Sequence, residues 1–356
     1  MLFALLRSYA IWLGVCVAVC IVGVGLTLLY DPAQARTFLL SYLYYWNGLL
    51  VGMTGFGALH FAHSTFKTHF HQLAFSILKM DENLKVLITY RLDHLYSFSN
   101  KQIVAIPVLA VGASIMYICG YPMTGIPRYY LWVSSSAMFY AGGLMLAYAA
   151  YSLQFFHTLE ENIEQLGLQD NVNIVELEDF NLYLSCLFLA AVIALYFAFR
   201  GTLTANFTFL PPHKWIANVV DLFRVPGSSY ASVRNLLLYP IVVFLPLTLF
   251  ASFYMKLVLH KIYLFSIKQK VEEIDRLAKP IIDNADSGES KIAVIDVRKA
   301  ALELKEKIVQ NNQVLPLVTA KDSPSIILAV IVVIQFIWIN DTQIKKFFDG
   351  VVGVIN

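Results

Sequence analysis

Seven apolar segments divide this 356-residue chain, and they constrain its fold more than any other feature of the sequence. A helix needs about 20 apolar residues to cross the hydrocarbon core of a bilayer. The first six segments meet that length, and the seventh is shorter. We therefore expect an all-α, polytopic membrane protein with about seven transmembrane helices. The predicted spans are residues 9–30, 39–62, 102–121, 129–155, 182–199, 235–262 and 325–339.

The composition agrees with this interpretation. The chain is 58% hydrophobic and only 14% charged, whereas ordinary soluble domains are about 25% charged. The net charge of +2 gives no reason to expect a nucleic-acid partner. Residues 9–29 are interpreted as a retained span, because the Asp-Pro-Ala-Gln-Ala that follows is a poor signal-peptide cleavage site.

The positions of Lys and Arg predict the orientation. With the N-terminus inside, the inner segments hold 18 of these residues and the outer segments hold 8. Cytoplasmic loops are usually the more basic ones. We therefore expect an integral protein of the plasma or inner membrane, with a cytoplasmic N-terminus, an outer C-terminus and membrane lipids around its spans.

The segments between the spans predict three parts of the chain. Residues 1–262 form a transmembrane bundle of six spans. It includes an amphipathic inner segment, 63–101, and an acidic inner segment, 156–181, which has no Lys or Arg. Residues 263–312 form a cytoplasmic helical hairpin, and residues 313–356 form the last span and a short outer tail. The amphipathic segment places apolar residues at helical intervals, at Phe70, Leu73, Ile77, Leu84, Ile88, Leu92 and Leu95.

The hairpin is predicted from apolar residues with coiled-coil spacing on both sides of a polar turn. The sixth span continues without a break signal into the first arm, which gives one helix of about 50 residues. Pro280 is expected to kink or end that arm. The apolar positions that carry the hairpin, and that would transmit gating, are Val271, Ile274, Val294, Val297 and Leu304.

Four histidines, His60, His63, His69 and His71, lie where the second span meets the inner side. Such a cluster is able to bind a metal, but no carboxylate accompanies it, so interfacial histidines are the preferred interpretation and no cofactor is expected. Ionisable residues are nearly missing from the span centres, which argues against proton-coupled transport and buried catalysis. Lys256, near the end of the sixth span, is expected to reach the inner headgroups.

The seventh segment is the predicted pore helix. Around a symmetry axis, Gln335 would form a ring of amides and Val332 an apolar collar, with Asn340 at the outer end. Hydrophobic and polar constrictions of this kind gate and select ions in channels.

The order of loops and the Gln335-Phe336 pair resemble the insect odorant and gustatory receptors. That resemblance implies a seven-helix subunit of a homotetrameric cation channel whose last helix lines the pore. The size of the chain is also similar to that of prokaryotic membrane effectors of anti-phage defence.

The preferred prediction is a non-enzymatic, oligomeric ion channel, with a tetramer favoured, gated by a cytoplasmic ligand or protein partner. A non-conducting scaffold or signalling subunit is the first alternative. A transporter or an enzyme using the histidine cluster is the second.

Overall fold

The structure is a computed structural model that describes residues 2–119, 125–168, 174–203, 230–285, 295, 298–306, 326–331 and 333–334. It is almost entirely helical, as expected for an all-α protein. A π-helical turn, Leu73–Ile77, and a 3-10 turn, Ile163–Gln165, interrupt the longer elements. The α-helices are α1 (Leu2–Tyr30), α2 (Pro32–Gln72), α3 (Glu82–Tyr96), α4 (Phe98–Cys119), α5 (Gly125–Glu161), α6 (Ile174–Leu203) and α7 (Tyr230–Ala285).

Four helices in the described part are long and apolar enough to cross a membrane. Large apolar side chains on the surface of α1, such as Ile21 at 67% exposure and Leu29 at 78%, suit contact with lipid. The membrane class predicted from composition therefore has a structural basis, whereas seven spans remain a prediction. The four segments are Phe3–Tyr30, Arg128–Glu161, Glu176–Ala194 and Pro246–Pro280.

Contacts between helices fix the relative directions of several of them. The Tyr140 hydroxyl donates to Gln102, and the Trp132 ring nitrogen donates to the Ala113 carbonyl, so α5 and α4 are antiparallel. Ring contacts likewise make α2 and α6 antiparallel, since Phe61 lies beside Tyr183 and Phe70 beside Phe180. The helices α2, α5 and α7 end on the same side of the bundle, which is called the inner end below.

The inner end carries a packed core that extends beyond the apolar segments. Phe70 is fully buried and contacts the rings of Phe155, Phe156, Phe180 and Tyr183 at centroid distances of 5.3 to 6.2 Å. These residues bring α2, α5 and α6 together, and α3 adds its apolar face to the same cluster. The amphipathic pattern is confirmed, since every predicted apolar position is at most 3% exposed: Phe70, Leu73, Ile77, Leu84, Ile88, Leu92 and Leu95.

Two short strands join the inner loops. β1 (Leu78–Lys79) pairs with β2 (Gly167–Leu168) in an antiparallel ladder, with Leu78 opposite Leu168. Asp81 then begins α3 by accepting a hydrogen bond from the Leu84 backbone nitrogen at 2.7 Å, which satisfies an amide that the first helical turn leaves open.

Helix α7 runs for 56 residues from the apolar bundle into the inner side. The prediction of one long helix of about 50 residues is therefore confirmed. Of the two effects expected of Pro280, a kink or an end, the end is wrong, because the helix continues to Ala285.

A close approach of α4 and α5 explains one glycine. A methyl group on Gly143 would lie 2.7 Å from the Ala105 α-carbon, whereas one on Gly142 would meet no atom within 4 Å. Gly143 therefore allows α4 and α5 to pack closely, as small residues do between membrane helices.

Candidate functional site: the inner end of the bundle

A buried lysine lies at the start of α4. Lys101 has no exposed surface, although it lies just before the apolar part of its helix. Its ammonium donates to the Ser97 carbonyl at 3.2 Å and lies 4.2 Å from the centroid of the Tyr148 ring. A ring face attracts a cation, but burial still opposes the charge and lowers the pKa of Lys101 to about 8.

His63 extends this group on the α2 side. Its Nδ1 is hydrogen-bonded to the Tyr148 hydroxyl at 2.8 Å. Desolvation lowers the pKa of His63, and the charges of Lys101 and His60 lower it further. Two basic side chains, Lys101 and His63, thus meet at one tyrosine, where α2, α4 and α5 come together.

A second buried lysine lies on α7. Lys256 is only 4% exposed, and its ammonium donates to the Ser185 hydroxyl of α6 at 2.8 Å. The expectation that Lys256 reaches the lipid headgroups is therefore wrong. It faces the bundle, where a long side chain satisfies its donors by bonding a polar group on the neighbouring helix. Ionisable residues held in this way inside spans commonly have a functional role.

Polar contacts also join α7 to α5. The Tyr254 hydroxyl donates to Glu160 at 2.6 Å, and Lys261 forms an ion pair with the same carboxylate. His157, one turn earlier on α5, pairs with Glu161 at 3.3 Å. The Glu160–Lys261 pair therefore joins the acidic segment to α7. Lys268 instead pairs with Glu272 on its own helix.

The structure spreads the four predicted histidines along α2 rather than gathering them. His69 stacks on Tyr183 at 4.5 Å, and His71 contacts Phe75 on the next turn. The Nδ1 atom of His60 is buried and has no hydrogen-bond partner among the described residues. In the parts of the chain that the structure describes, no three His, Cys, Asp or Glu residues are arranged to hold a metal ion.

The predicted gating and pore residues are only partly described. Val271 and Ile274 are half-buried on α7, and Leu304 is 51% exposed on a helical stretch formed by residues 298–306. Val294, Val297, Val332, Gln335 and Asn340 lie outside the described residues.

Sequence reasoning missed two contacts, that of Lys101 with Tyr148 and that of Lys256 with Ser185. The available signal was the position of Lys101 immediately before one predicted span, together with the position of Tyr148 inside the predicted span 129–155. Periodicity did not reveal that these side chains meet, because their contacts join helices that are far apart in sequence.

Comparisons with known protein families, curated proteins and solved structures found no match for this chain.

Proposed function

We propose that this protein is an oligomeric ion channel of the plasma or inner membrane, gated from its cytoplasmic side. The observation that carries the proposal is the continuity of α7. One helix of 56 residues passes through the bundle and continues into the inner side without a break. A displacement at its inner end therefore reaches the membrane directly.

Contacts along the middle of α7 support this role. Lys256 binds Ser185 of α6, while Tyr254 and Lys261 bind Glu160 of α5. These contacts hold α7 in one position relative to its neighbours. Two arrangements of such contacts would provide the discrete closed and open states that gating requires.

The proposed hairpin draws support from one long-range ion pair. Lys305, on the helical stretch 298–306, contacts the carboxylate of Asp275 on α7. The midpoint between these residues is residue 290, which lies in the polar turn predicted from the sequence. A chain that returns along α7 and then enters the last span would connect the hairpin to a pore helix.

The proposed pore consists of the last helix from each of several subunits. Its described part is helical and exposes apolar side chains, including Ile327 at 58% and Val330 at 48%. An apolar helix with so much exposed surface needs lipid or another subunit around it. In this proposal Val332, Gln335 and Asn340 line the ion path.

Single-channel recording of purified protein in planar bilayers tests the proposal. Gln335→Ala and Val332→Ala are expected to change unitary conductance or selectivity. Lys256→Met removes the donor to Ser185, and we expect it to change open probability by at least threefold while unitary conductance stays constant.

Lys268→Met is the matched control, since Lys268 is exposed and pairs only with Glu272 on its own helix. Wild-type protein that conducts under no voltage, pH or ligand condition would overturn the channel proposal and favour the non-conducting scaffold.

A further inference from the structure

A cavity of about 260 Å³ opens between the inner end of α2 and the start of α6. Its polar lining consists of His69, Gln72, Glu176 and Asp179, and the buried Ile77 of the π-helical turn contributes apolar surface. Because a water molecule takes about 30 Å³ in the liquid, the space equals about nine waters and is far larger than a single ion needs. π-Helical turns also occur frequently at functional sites.

The polar groups of this cavity are available to a ligand. Among the described residues, the side chains of Gln72, Glu176 and Asp179 make no hydrogen bond or ion pair. Elsewhere at the inner end, Glu160 and Asp275 have cationic partners on other elements. The cavity therefore presents two carboxylates and an amide that have no hydrogen-bond or ion-pair partner in the described part of the chain.

The charge of the lining is negative. Glu176 and Asp179 are three residues apart on α6, so they lie on the same side of the helix. Burial lowers the pKa of His69, while the nearby Asp179 partly opposes this effect. The net lowering of this pKa favours the neutral imidazole, which offers a hydrogen-bonding nitrogen to the cavity.

The apolar lining suits the stem of an organic ligand. Phe180 and Ile77 both reach the cavity from the buried core, and an aromatic ring attracts a desolvated cation. A metal ion fits less well, since no three His, Cys, Asp or Glu side chains converge as metal ligands within the described residues.

We propose that this cavity binds a small organic amine, with its ammonium group between Glu176 and Asp179 and its alkyl stem against Phe180 and Ile77. Gln72 and His69 would accept or donate the remaining hydrogen bonds. This assignment gives the proposed cytoplasmic ligand a chemical class and a place.

The cavity also has a direct structural connection to α7. Asp179 lies less than two helical turns before Ser185 on α6, and Ser185 accepts the hydrogen bond from Lys256. A ligand that draws the start of α6 towards α2 would therefore move the contact that holds α7. This regulatory step rests on the proposed channel function, whereas binding itself does not.

Binding is tested by calorimetry on the full chain in nanodiscs with three probes: n-butylamine, n-butanol and ammonium. We expect butylamine to bind at least tenfold more tightly than either butanol, which lacks the charge, or ammonium, which lacks the stem. The double variant Glu176→Gln, Asp179→Asn keeps the side-chain shapes and is expected to weaken butylamine binding at least tenfold.

Glu178→Gln is the matched control, because Glu178 is exposed and lies between the two carboxylates without lining the cavity. Unchanged melting temperatures show that the variants are folded. Equal butylamine affinity in wild type and double variant would overturn the site, and so would Ca²⁺ that binds tightly and displaces butylamine.

Recording with butylamine on the inner side separates this inference from the proposed function. Butylamine binding together with a changed open probability supports both the amine site and the channel function. Binding to a wild-type protein that never conducts supports the amine site and overturns the channel.

Discussion

Gly142 and Gly143 are sequence neighbours on α5 with opposite steric requirements. A side chain at Gly143 would collide with the backbone of α4 at Ala105, whereas the space beside Gly142 is open. Composition and periodicity treat the two residues alike. Only Gly143 lies against α4, so the difference in available space between the two glycines appears only at the scale of individual atoms.

Gly143→Ala is expected to destabilise the protein by about 1–3 kcal/mol, because the added methyl forces α4 and α5 apart. Gly142→Ala is expected to be neutral or to stabilise by up to about 1 kcal/mol, since alanine favours a helix more than glycine does. Thermal or denaturant unfolding of the purified variants measures both effects. Similar stabilities for the two variants would contradict the close contact at Ala105.

Lys101 predicts a pH dependence of stability. Its pKa is about 8 in the folded chain against an ordinary value of 10.5. Between these values the unfolded chain binds more protons, so stability rises with pH through this window. Relative to Lys101→Met, the wild-type free energy of unfolding should rise by roughly 1–3 kcal/mol between pH 8 and 10.5.

The measurement is chemical unfolding in detergent at several pH values. Lys85→Met provides the control, because Lys85 is an exposed residue on α3 that pairs only locally with Glu82. A difference between wild type and Lys101→Met that does not vary with pH would show that Lys101 has an ordinary pKa.

At the scale of elements, the inner core decides how α2, α3, α5 and α6 pack. Phe70 lies at its centre, in contact with four aromatic rings. Because α3 shares this core, we expect its position to depend on residues that precede it in the chain by more than ten positions.

Phe70→Ala is expected to lower the free energy of unfolding by about 3–5 kcal/mol and to increase hydrogen exchange throughout α3. Phe98→Ala should cost less than about 0.5 kcal/mol, since Phe98 is 57% exposed. Hydrogen exchange measured by mass spectrometry reports on α3, and on α4 with Phe98 at its start, in one experiment. Unchanged exchange in α3 after Phe70→Ala would mean that α3 packs independently.

Local pattern predicted the elements better than their contacts. The apolar intervals from Phe70 to Leu95 and the continuity of α7 follow from side-chain spacing, and the structure bears both out. The pairing of Leu78 with Leu168 does not follow, because two-residue strands carry no periodicity. The burial of Lys256 was also missed, because the sequence pattern is local. A lysine near the end of an apolar segment has the same pattern whether its side chain faces lipid or another helix.

At the scale of the whole molecule, exposed apolar residues at the inner end form the surface through which we propose that copies of the chain associate. Leu277 on α7 is 66% exposed, and Leu302 and Leu304 on the returning helical stretch are 62% and 51% exposed. Exposed apolar surfaces of this kind commonly mark interfaces between proteins. The proposed channel requires such an interface between copies of the chain.

Native mass spectrometry of the detergent-purified protein is expected to show an oligomer, with a tetramer favoured. Leu302→Glu combined with Leu304→Glu should reduce the oligomeric fraction at least fivefold without loss of helicity, because both side chains are exposed in the single chain. Val86→Glu, at a residue of α3 that is 70% exposed, is the control. A monomeric wild type would contradict assembly through the hairpin.

The length of α7 has a mechanical consequence. At 1.5 Å per residue its 56 residues extend for about 84 Å, nearly three times the hydrocarbon thickness of a bilayer. Lys256 lies near the middle of the helix, about 43 Å from Ala285. If the Lys256–Ser185 contact acts as a pivot, a rotation of about 5° moves each end of the helix by about 4 Å, in opposite directions. A small adjustment beside the inner core would thus widen or narrow the opposite side of the membrane, without unfolding a single helical turn.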